Sequence, residues 1–266
     1  TKKMISFHSE DQGVLNKRKK YIKRGDPKSH PIWRNESVCL TCTKHLVKLA
    51  NSTKKKIHIL HITTAEEIEL LNKNKKFISY EVTPQHLTLS SPSCYNKLGS
   101  LAQMNPAIRS NKHLSRLRKA LKNNEIDIVG SDHAPHTLAE KKQEYPDSPS
   151  GMPGVQTLMP ILLNEVSKKT ISINNVVQLT SYNPIKRFKV KNKGLIKEGY
   201  DADFTFVDLT KTKKISNKLI LSKCGWTPFH GMKIRGWPVG TMINGNKVFW
   251  NEKIIGKPIG KPIKFN

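Results

Sequence analysis

Segments typical of buried strands alternate with segments typical of helices over the first half of this sequence. The predicted strands cover residues 3–7, 57–62, 77–83 and 126–129, and each one runs into polar residues. Alternation of this kind favours a parallel β/α architecture. A complete eight-unit barrel takes about 250 residues, whereas four units are present here. We therefore expect the second half of a β/α barrel.

The last predicted strand ends in the stretch IDIVGSDHAPH, which places Asp132, His133 and His136 in the loop that follows it. An acid and two histidines at the carboxyl end of a strand suit a metal-hydrolase site in a β/α barrel, because the loops after the strands carry the chemistry in that fold. A polar turn after a core strand has the same composition, so the motif alone leaves both interpretations open.

Two other predicted strands also end in histidine, at His8 and His61. Imidazole nitrogens and a carboxylate oxygen are ligands that zinc takes, so these residues and Asp132 form a candidate metal site. A single histidine of this kind is more often an ordinary polar residue, but its recurrence at strand ends favours a site. Metal binding lowers the pKa of water to about 7, and Asp132 is placed to accept the proton from that water.

Loop residues provide candidates for substrate binding. Residues 90–110 are rich in Ser, Pro and Gly, which predicts irregular structure, and they include Asn105. Asn105, His136 and the backbone at Gly151 are placed where they could hold a polar planar substrate. Glycine permits a close approach of the backbone.

The sequence changes character after about residue 190. Short alternating segments, at residues 202–207, 241–243 and 247–250, predict strands of a small β domain. We expect residues 1–190 to form the partial barrel and residues 191–266 to contribute to an appended β-sandwich domain.

The net charge of +27 allows a nucleic-acid or anionic-membrane partner. The lysines scatter along the chain without interleaved aromatic residues, which favours a solvated surface instead. We therefore expect neither nucleic acid nor membrane as a partner. No segment has the pattern of a membrane span or a signal peptide, and a cytoplasmic location is expected. The chain begins at Thr1 and enters a predicted strand at once, which predicts a natural start upstream.

Cys39 and Cys42 form a CxxC within a predicted helix, residues 36–50. One CxxC without a second pair is a weak signal for zinc or redox chemistry, and residues three apart share a helix face. Buried helix thiols in a reducing compartment are the prediction.

Several motifs together are similar to one family. In chain order HSED, LHITTAEE, VTPQHL, MNPAIR, SDHAPHTLAEK and SGMPGVQT resemble the second half of the class I dihydroorotases of the amidohydrolase superfamily. The closing stretches KGLIKEGYDADFTFVDL and GWTPFHGMKIRGWPVGT are similar to the end of that family. The resemblance implies reversible ring closure of N-carbamoyl-L-aspartate to dihydroorotate, a step of pyrimidine biosynthesis, at a site with one or two zinc ions. It leaves open a homodimer and an association with aspartate carbamoyltransferase.

The resemblance also implies roles for individual residues. It assigns metal binding to strand-end side chains, the general base to one of these, and substrate binding to loop residues. The implied metal ligands are His8, His61 and Asp132; Asp132 is also the implied base; the implied substrate-binding residues are Asn105, His136, Pro149 and Gly151.

The chain departs from the family pattern in several places. The family's His-x-His pair, its carboxylate-binding Arg and its bridging acid or carboxylated Lys are absent from these 266 residues, so we expect little turnover from the isolated chain. Gln85 and Ala107 replace a common His and Pro. A hydantoinase- or allantoinase-type cyclic amidase and a non-catalytic dihydroorotase-like scaffold remain alternatives. Asn105 and His136 favour dihydroorotase over the first, and retention of the three implied ligands argues against the second.

Overall fold

The computed structural model describes residues 3–265 and contains one parallel and one antiparallel four-stranded sheet. The chain divides into two compact units. The first unit consists of residues 4–158 and 216–230 and holds the parallel sheet. The second consists mainly of residues 159–215 and 231–265 and holds the antiparallel sheet.

The parallel sheet has its strands in chain order. They are β1 (Ile5–Phe7), β2 (Ile57–Ile59), β3 (Ile78–Val82) and β4 (Ile128–Val129). Every neighbouring pair is parallel, and the carboxyl ends of all four strands therefore lie at one edge of the sheet. The predicted alternation of parallel strands with helices is confirmed in this unit.

Helices follow each strand of the first unit. They are α1 (Gln12–Arg18), α2 (His30–Trp33), α3 (Glu36–Thr53), α4 (Ala65–Asn72), α5 (Pro84–Thr88), α6 (Ser93–Leu98), α7 (Asn111–Lys122) and α8 (Leu138–Lys141), and α9 (Val155–Ser167) begins in this unit and ends in the other. The start of α4 is fixed by a capping box in which Thr64 and Glu67 satisfy each other's backbone N–H groups.

The side chains of β2 and β3 form part of the buried core of this unit. Ile59, Ile78, Tyr80 and Val82 are fully buried. A second apolar cluster is built from segments that follow β3 and β4 and from residues 216–230; it contains Cys94, Tyr95, Ala102, Met104, Ile108, Met152, Cys224 and Trp226.

Some predicted extents were wrong. The strand predicted at 57–62 ends at Ile59, and His61 therefore lies beyond it. The region predicted as irregular, residues 90–110, contains α6 and a 3₁₀ turn at Gly99–Ala102, because its apolar side chains pack into the second cluster.

The CxxC lies in α3 as predicted, with a buried Cys39 thiol and a half-buried Cys42 thiol, and neither forms a disulfide.

The second unit contains a π-helix at Gln178–Tyr182. It also contains two further α-helices and four antiparallel strands. They are α10 (Ile173–Val177), α11 (Asn183–Phe188), β5 (Phe204–Lys214), β6 (Lys233–Ile243), β7 (Asn246–Trp250) and β8 (Lys253–Ile254). The predicted short strands are confirmed, although β5 and β6 are longer than predicted. The appended sandwich and the boundary after residue 190 stay predictions. No helix within residues 3–265 is long and apolar enough to cross a membrane.

Candidate active site

Two of the three predicted metal ligands are in contact. His8 follows the last residue of β1, and His61 lies two positions beyond the end of the neighbouring β2. Because parallel strands end at the same edge, the two rings meet: Nδ1 of His8 lies 3.0 Å from Nε2 of His61, and the ring centroids are 4.7 Å apart. The structure thus presents two imidazole nitrogens at one point.

The backbone is strained at two predicted ligands. His61 has a φ of 36° and Asp132 a φ of 40°. Non-glycine residues adopt this left-handed region at a cost of about 1–3 kcal/mol, and such residues cluster at functional sites. Burial, followed by the nearby His8 and His86, lowers the pKa of His61 to about 3, so its ring is neutral at physiological pH. A neutral imidazole is the form that binds a metal.

Glu10 orients His8. Its carboxylate, whose side chain is only 1% exposed, accepts a hydrogen bond from Nε2 of His8 at 2.9 Å and another from Nη1 of Arg34. Burial opposes ionisation, but the hydrogen bond from His8 and the Arg34 charge hold the pKa of Glu10 below its usual value. The proton of His8 is thereby fixed on Nε2, and the Nδ1 lone pair faces His61. Sequence reasoning missed Glu10, although it stands two positions after His8 in HSED.

Asp132 lies three positions beyond the end of β4 and is half-buried. Burial and the Glu81 carboxylate raise its pKa, and His8 opposes that shift. Among residues 3–265, however, no three His, Cys, Asp or Glu side chains are grouped closely enough to hold a metal ion.

The histidine pair fits a metal by its chemistry. Two ring nitrogens 3.0 Å apart can both lie about 2.1 Å from one ion, which is the usual zinc–imidazole distance. The donor set is thus two imidazoles, with Asp132 as a nearby carboxylate that does not complete a group of three.

A second carboxylate, which sequence reasoning also missed, reaches towards the end of β4. Glu81 lies on β3, and Nε2 of the buried His58 is 3.3 Å from its Oε2. A Cβ atom on Gly130 would lie 2.7 Å from the Glu81 carboxyl group, so glycine at this position makes room for it. The signal in the sequence was an acid on an otherwise buried strand.

The predicted substrate-binding residues lie in three loops, two of which meet at Gly151 and His136. A Cβ on Gly151 would lie 2.6 Å from the Ala134 carbonyl oxygen and 3.1 Å from Cδ2 of His136, so Gly151 and His136 are neighbours. The Ala134 N–H donates to the carbonyl of Asp132 at 2.9 Å and to that of Met152 at 3.1 Å. Asp132 and His136 therefore share a turn that is paired with the loop at residues 151–152.

Asn105 and Pro149 are held by neighbouring groups. Nε2 of the buried His30 lies 3.2 Å from Oδ1 of Asn105, and the Pro149 carbonyl accepts from Lys141 at 2.8 Å. The Gly151 N–H donates to the Gln103 carbonyl at 2.9 Å, which connects the Asn105 segment to the Gly151 loop. Sequence reasoning treated Lys141 only as part of a motif, and lysine composition gave no sign of its burial.

Residues 2–248 match the Amidohydrolase family, and the chain belongs to this family. It is 35% identical to a dihydroorotase of Pyrococcus furiosus over 98% of its own length and 58% of that protein. A dihydroorotase of Pyrococcus abyssi is 36% identical over 98% of the chain and 59% of its own length. The chain thus spans a little under three fifths of these relatives.

Solved structures show the same fold. An L-hydantoinase (dihydropyrimidinase) from Arthrobacter aurescens matches with a TM-score of 0.91 and 24% identity, over 96% of this chain and 58% of that one. A dihydropyrimidinase from Brevibacillus agri matches with a TM-score of 0.88 and 25% identity, over 95% and 58%. The mixed α/β architecture expected from the sequence is therefore shared with these solved structures.

Proposed function

We propose that this chain provides the His8, His61 and Asp132 side of a metal-dependent cyclic amidohydrolase site that interconverts N-carbamoyl-L-aspartate and dihydroorotate. The observation that carries the proposal is the contact of the His8 and His61 ring nitrogens at the ends of adjacent parallel strands. The dihydroorotase relatives support this substrate. The resemblance at Asn105 and His136, which favours dihydroorotase over other cyclic amidases, agrees with it.

Zinc is the proposed metal, as one or two ions. Nδ1 of His8, Nε2 of His61 and the carboxylate of Asp132 would hold it, and the bound metal would supply a water whose pKa is lowered to about 7. The family's remaining ligands are absent from this sequence. We therefore propose that a further segment supplies them.

Asp132 is the proposed general base. Its raised pKa, caused by burial and by Glu81, brings its proton affinity closer to that of the groups it serves. In ring opening it accepts a proton from the attacking water and delivers a proton to the ring nitrogen as the C–N bond breaks. In ring closure the same transfers run in reverse. Asn105, His136 and the loop at Pro149 and Gly151 bind the polar substrate in this scheme.

The architecture proposed for the whole protein follows the family. Residues 1–190 would be the second half of a metal-hydrolase β/α barrel, and residues 191–266 would complete part of a β-sandwich. The parallel order of four strands and the antiparallel order of the other four support this assignment. Pyrimidine biosynthesis in the cytoplasm is the proposed setting. A homodimer and a complex with aspartate carbamoyltransferase are the assemblies to test there.

The protein expressed from its complete coding region and loaded with zinc tests the proposal. We expect turnover of carbamoyl-aspartate and dihydroorotate, and a loss of about 10²- to 10⁴-fold in Asp132→Asn. The exposed Asp147, which pairs with Arg24, gives the control Asp147→Asn, with an unchanged rate. Turnover of hydantoin or allantoin alone would replace the proposed substrate. Zinc binding without turnover of any cyclic amide would favour the scaffold reading.

The 266-residue chain alone is a separate test of the incomplete site. We expect it to bind zinc weakly and to turn over neither substrate, because the remaining ligands of the family are not in it. A robust rate from the purified chain would contradict the half-barrel assignment.

A further inference from the structure

Lys141 is an unusual lysine in a chain whose other lysines are mostly exposed. It ends α8, and its residue surface is only 1% exposed. Burial lowers its pKa to about 8. A buried ammonium group is costly unless each of its three donors finds an acceptor. The contacts of Lys141 meet that requirement.

Three backbone carbonyls surround the ammonium group. Nζ of Lys141 donates to the carbonyl oxygens of Pro149 at 2.8 Å, Gln103 at 3.0 Å and Gly151 at 3.3 Å. All three acceptors are neutral, and within residues 3–265 no carboxylate pairs with this lysine. An apolar side chain would fill the space without burying a charge. Packing alone therefore does not explain a lysine at this position. Its ammonium group holds main-chain carbonyls of two separate loops.

The carbonyls belong to two of the three segments that carry the proposed substrate-binding residues. Pro149 and Gly151 are two of those residues, and Gln103 lies two positions before Asn105. The Gln103 carbonyl also accepts from the Gly151 N–H at 2.9 Å, and the Gln103 side-chain amide donates to the Ser148 carbonyl at 2.7 Å. Lys141 is thus the centre of a closed set of hydrogen bonds that joins the loops.

The same cluster reaches the fourth proposed substrate-binding residue, His136. Nζ of Lys141 lies 6.0 Å from the ring centroid of Trp226, and the Trp226 indole N–H donates to the His136 carbonyl at 2.8 Å. Trp226 is itself buried. Lys141 therefore contacts the loops at residues 103–105 and 149–151 directly. It is connected to the His136 loop through Trp226.

We propose that Lys141 is a positioning residue for substrate binding, which fixes the loops at residues 103–105 and 149–151 by holding three of their carbonyl oxygens. Its effect on substrate rests on the function proposed above, whereas the loop-holding role does not. In this role Lys141 contacts no substrate and transfers no proton. Its loss raises KM more than it lowers kcat, because the loops lose their binding geometry while the histidine pair at the ends of β1 and β2 keeps its own.

Hydrogen exchange of the chain tests the loop-holding role without any activity. In Lys141→Met, which keeps the length and removes the donors, we expect the Gly151 amide to exchange about 10- to 100-fold faster, since hydrogen bonds to a charged donor have been lost. Amides of β2 and β3 keep their protection. Lys142→Met, at the exposed neighbouring position, is the matched control and leaves Gly151 unchanged. Unaltered exchange at Gly151 in a folded Lys141→Met would overturn the proposal.

Kinetics of the zinc-loaded protein from the complete coding region test the consequence for substrate. We expect Lys141→Met to raise KM about 10-fold or more with a smaller change in kcat, and Lys141→Arg, which keeps the charge, to recover part of the loss. Should Lys141→Met not fold, Lys141→Gln, which keeps two donors, takes its place in both experiments. Faster exchange with unchanged KM would remove the substrate role. Absence of turnover in the unmodified protein would instead refute the proposed function, and the exchange result would stand by itself.

Discussion

Nδ1 of His8 and Nε2 of His61 lie 3.0 Å apart, although 53 positions separate the two residues along the chain. The contact follows from the topology, because β1 and β2 are adjacent and parallel and both histidines come just after a strand. Burial keeps His61 neutral, and Glu10 directs the lone pair of His8 towards it. Two protonated rings would repel each other at this distance. The arrangement therefore suits two neutral imidazoles that bind the same metal ion.

The first prediction concerns that pair. We expect His8→Ala or His61→Ala to lower the zinc affinity of the chain by more than about 100-fold, which is beyond what loss of a residue behind the ligands produces. Competition with a chromophoric chelator measures the affinity. The exposed His45 on α3 gives the control His45→Ala. Equal affinities of all three variants would show that zinc binds elsewhere.

The second prediction concerns Glu10. Glu10→Gln keeps the shape of the side chain but removes the charge that fixes the His8 proton on Nε2, and we expect zinc affinity to fall about 10- to 100-fold. The change should be smaller than that of His8→Ala. Glu144→Gln is the control, since Glu144 is exposed and pairs with Arg24. A Glu10→Gln chain with full affinity would mean that the carboxylate only neutralises Arg34.

The sequence was sufficient for the features that follow from periodicity. Apolar runs of strand length, separated by helical segments, predicted four parallel strands, and residues after parallel strands must meet at one edge. The proximity of His8 and His61 could therefore be predicted. The lengths of the strands could not be predicted. β2 ends at Ile59, and the turn after it, in which His61 has a left-handed conformation, brings the His61 ring to that of His8.

Side-chain partners from distant segments escaped sequence reasoning. Glu10 is buried because His8 and Arg34 both donate to it, and Arg34 has no fixed spacing from the HSED motif. Lys141 contradicts the general rule that lysine is exposed. Its burial depends on carbonyls of Gln103 and Pro149, and main-chain acceptors leave no trace in the identity of the residues that carry them.

The third prediction concerns Gly151. An alanine Cβ there would lie 2.6 Å from the Ala134 carbonyl oxygen, and the φ of 147° is itself unfavourable for alanine. Gly99→Ala is the matched control, because Gly99 has a φ of 55° but no atom within 4 Å of a Cβ. We expect Gly151→Ala to lower the free energy of unfolding by about 1–3 kcal/mol more than Gly99→Ala does. Chemical denaturation of both variants measures the difference, and equal losses would contradict the close approach.

The fourth prediction concerns acid stability. Burial lowers the pKa of His30 and of His86 to about 4, from 6.5, although hydrogen bonds to the carbonyls of Met104 and Pro106 oppose the shift. The unfolded chain therefore binds more protons than the folded chain between pH 6.5 and 4. Over that window the free energy of unfolding falls as the pH is lowered, by about 3 kcal/mol for each histidine, and below pH 4 this contribution no longer changes.

Chemical denaturation at several pH values between 4 and 7 measures this dependence. We expect His86→Gln to be less stable than the unmodified chain at pH 7 but to lose stability less steeply on acidification, by up to about 1.4 kcal/mol per pH unit. His45→Gln is the control for removal of an exposed imidazole. Parallel curves for His86→Gln and the unmodified chain would mean that folding leaves the pKa of His86 unchanged, which would contradict the effect of its burial beside the Pro106 carbonyl.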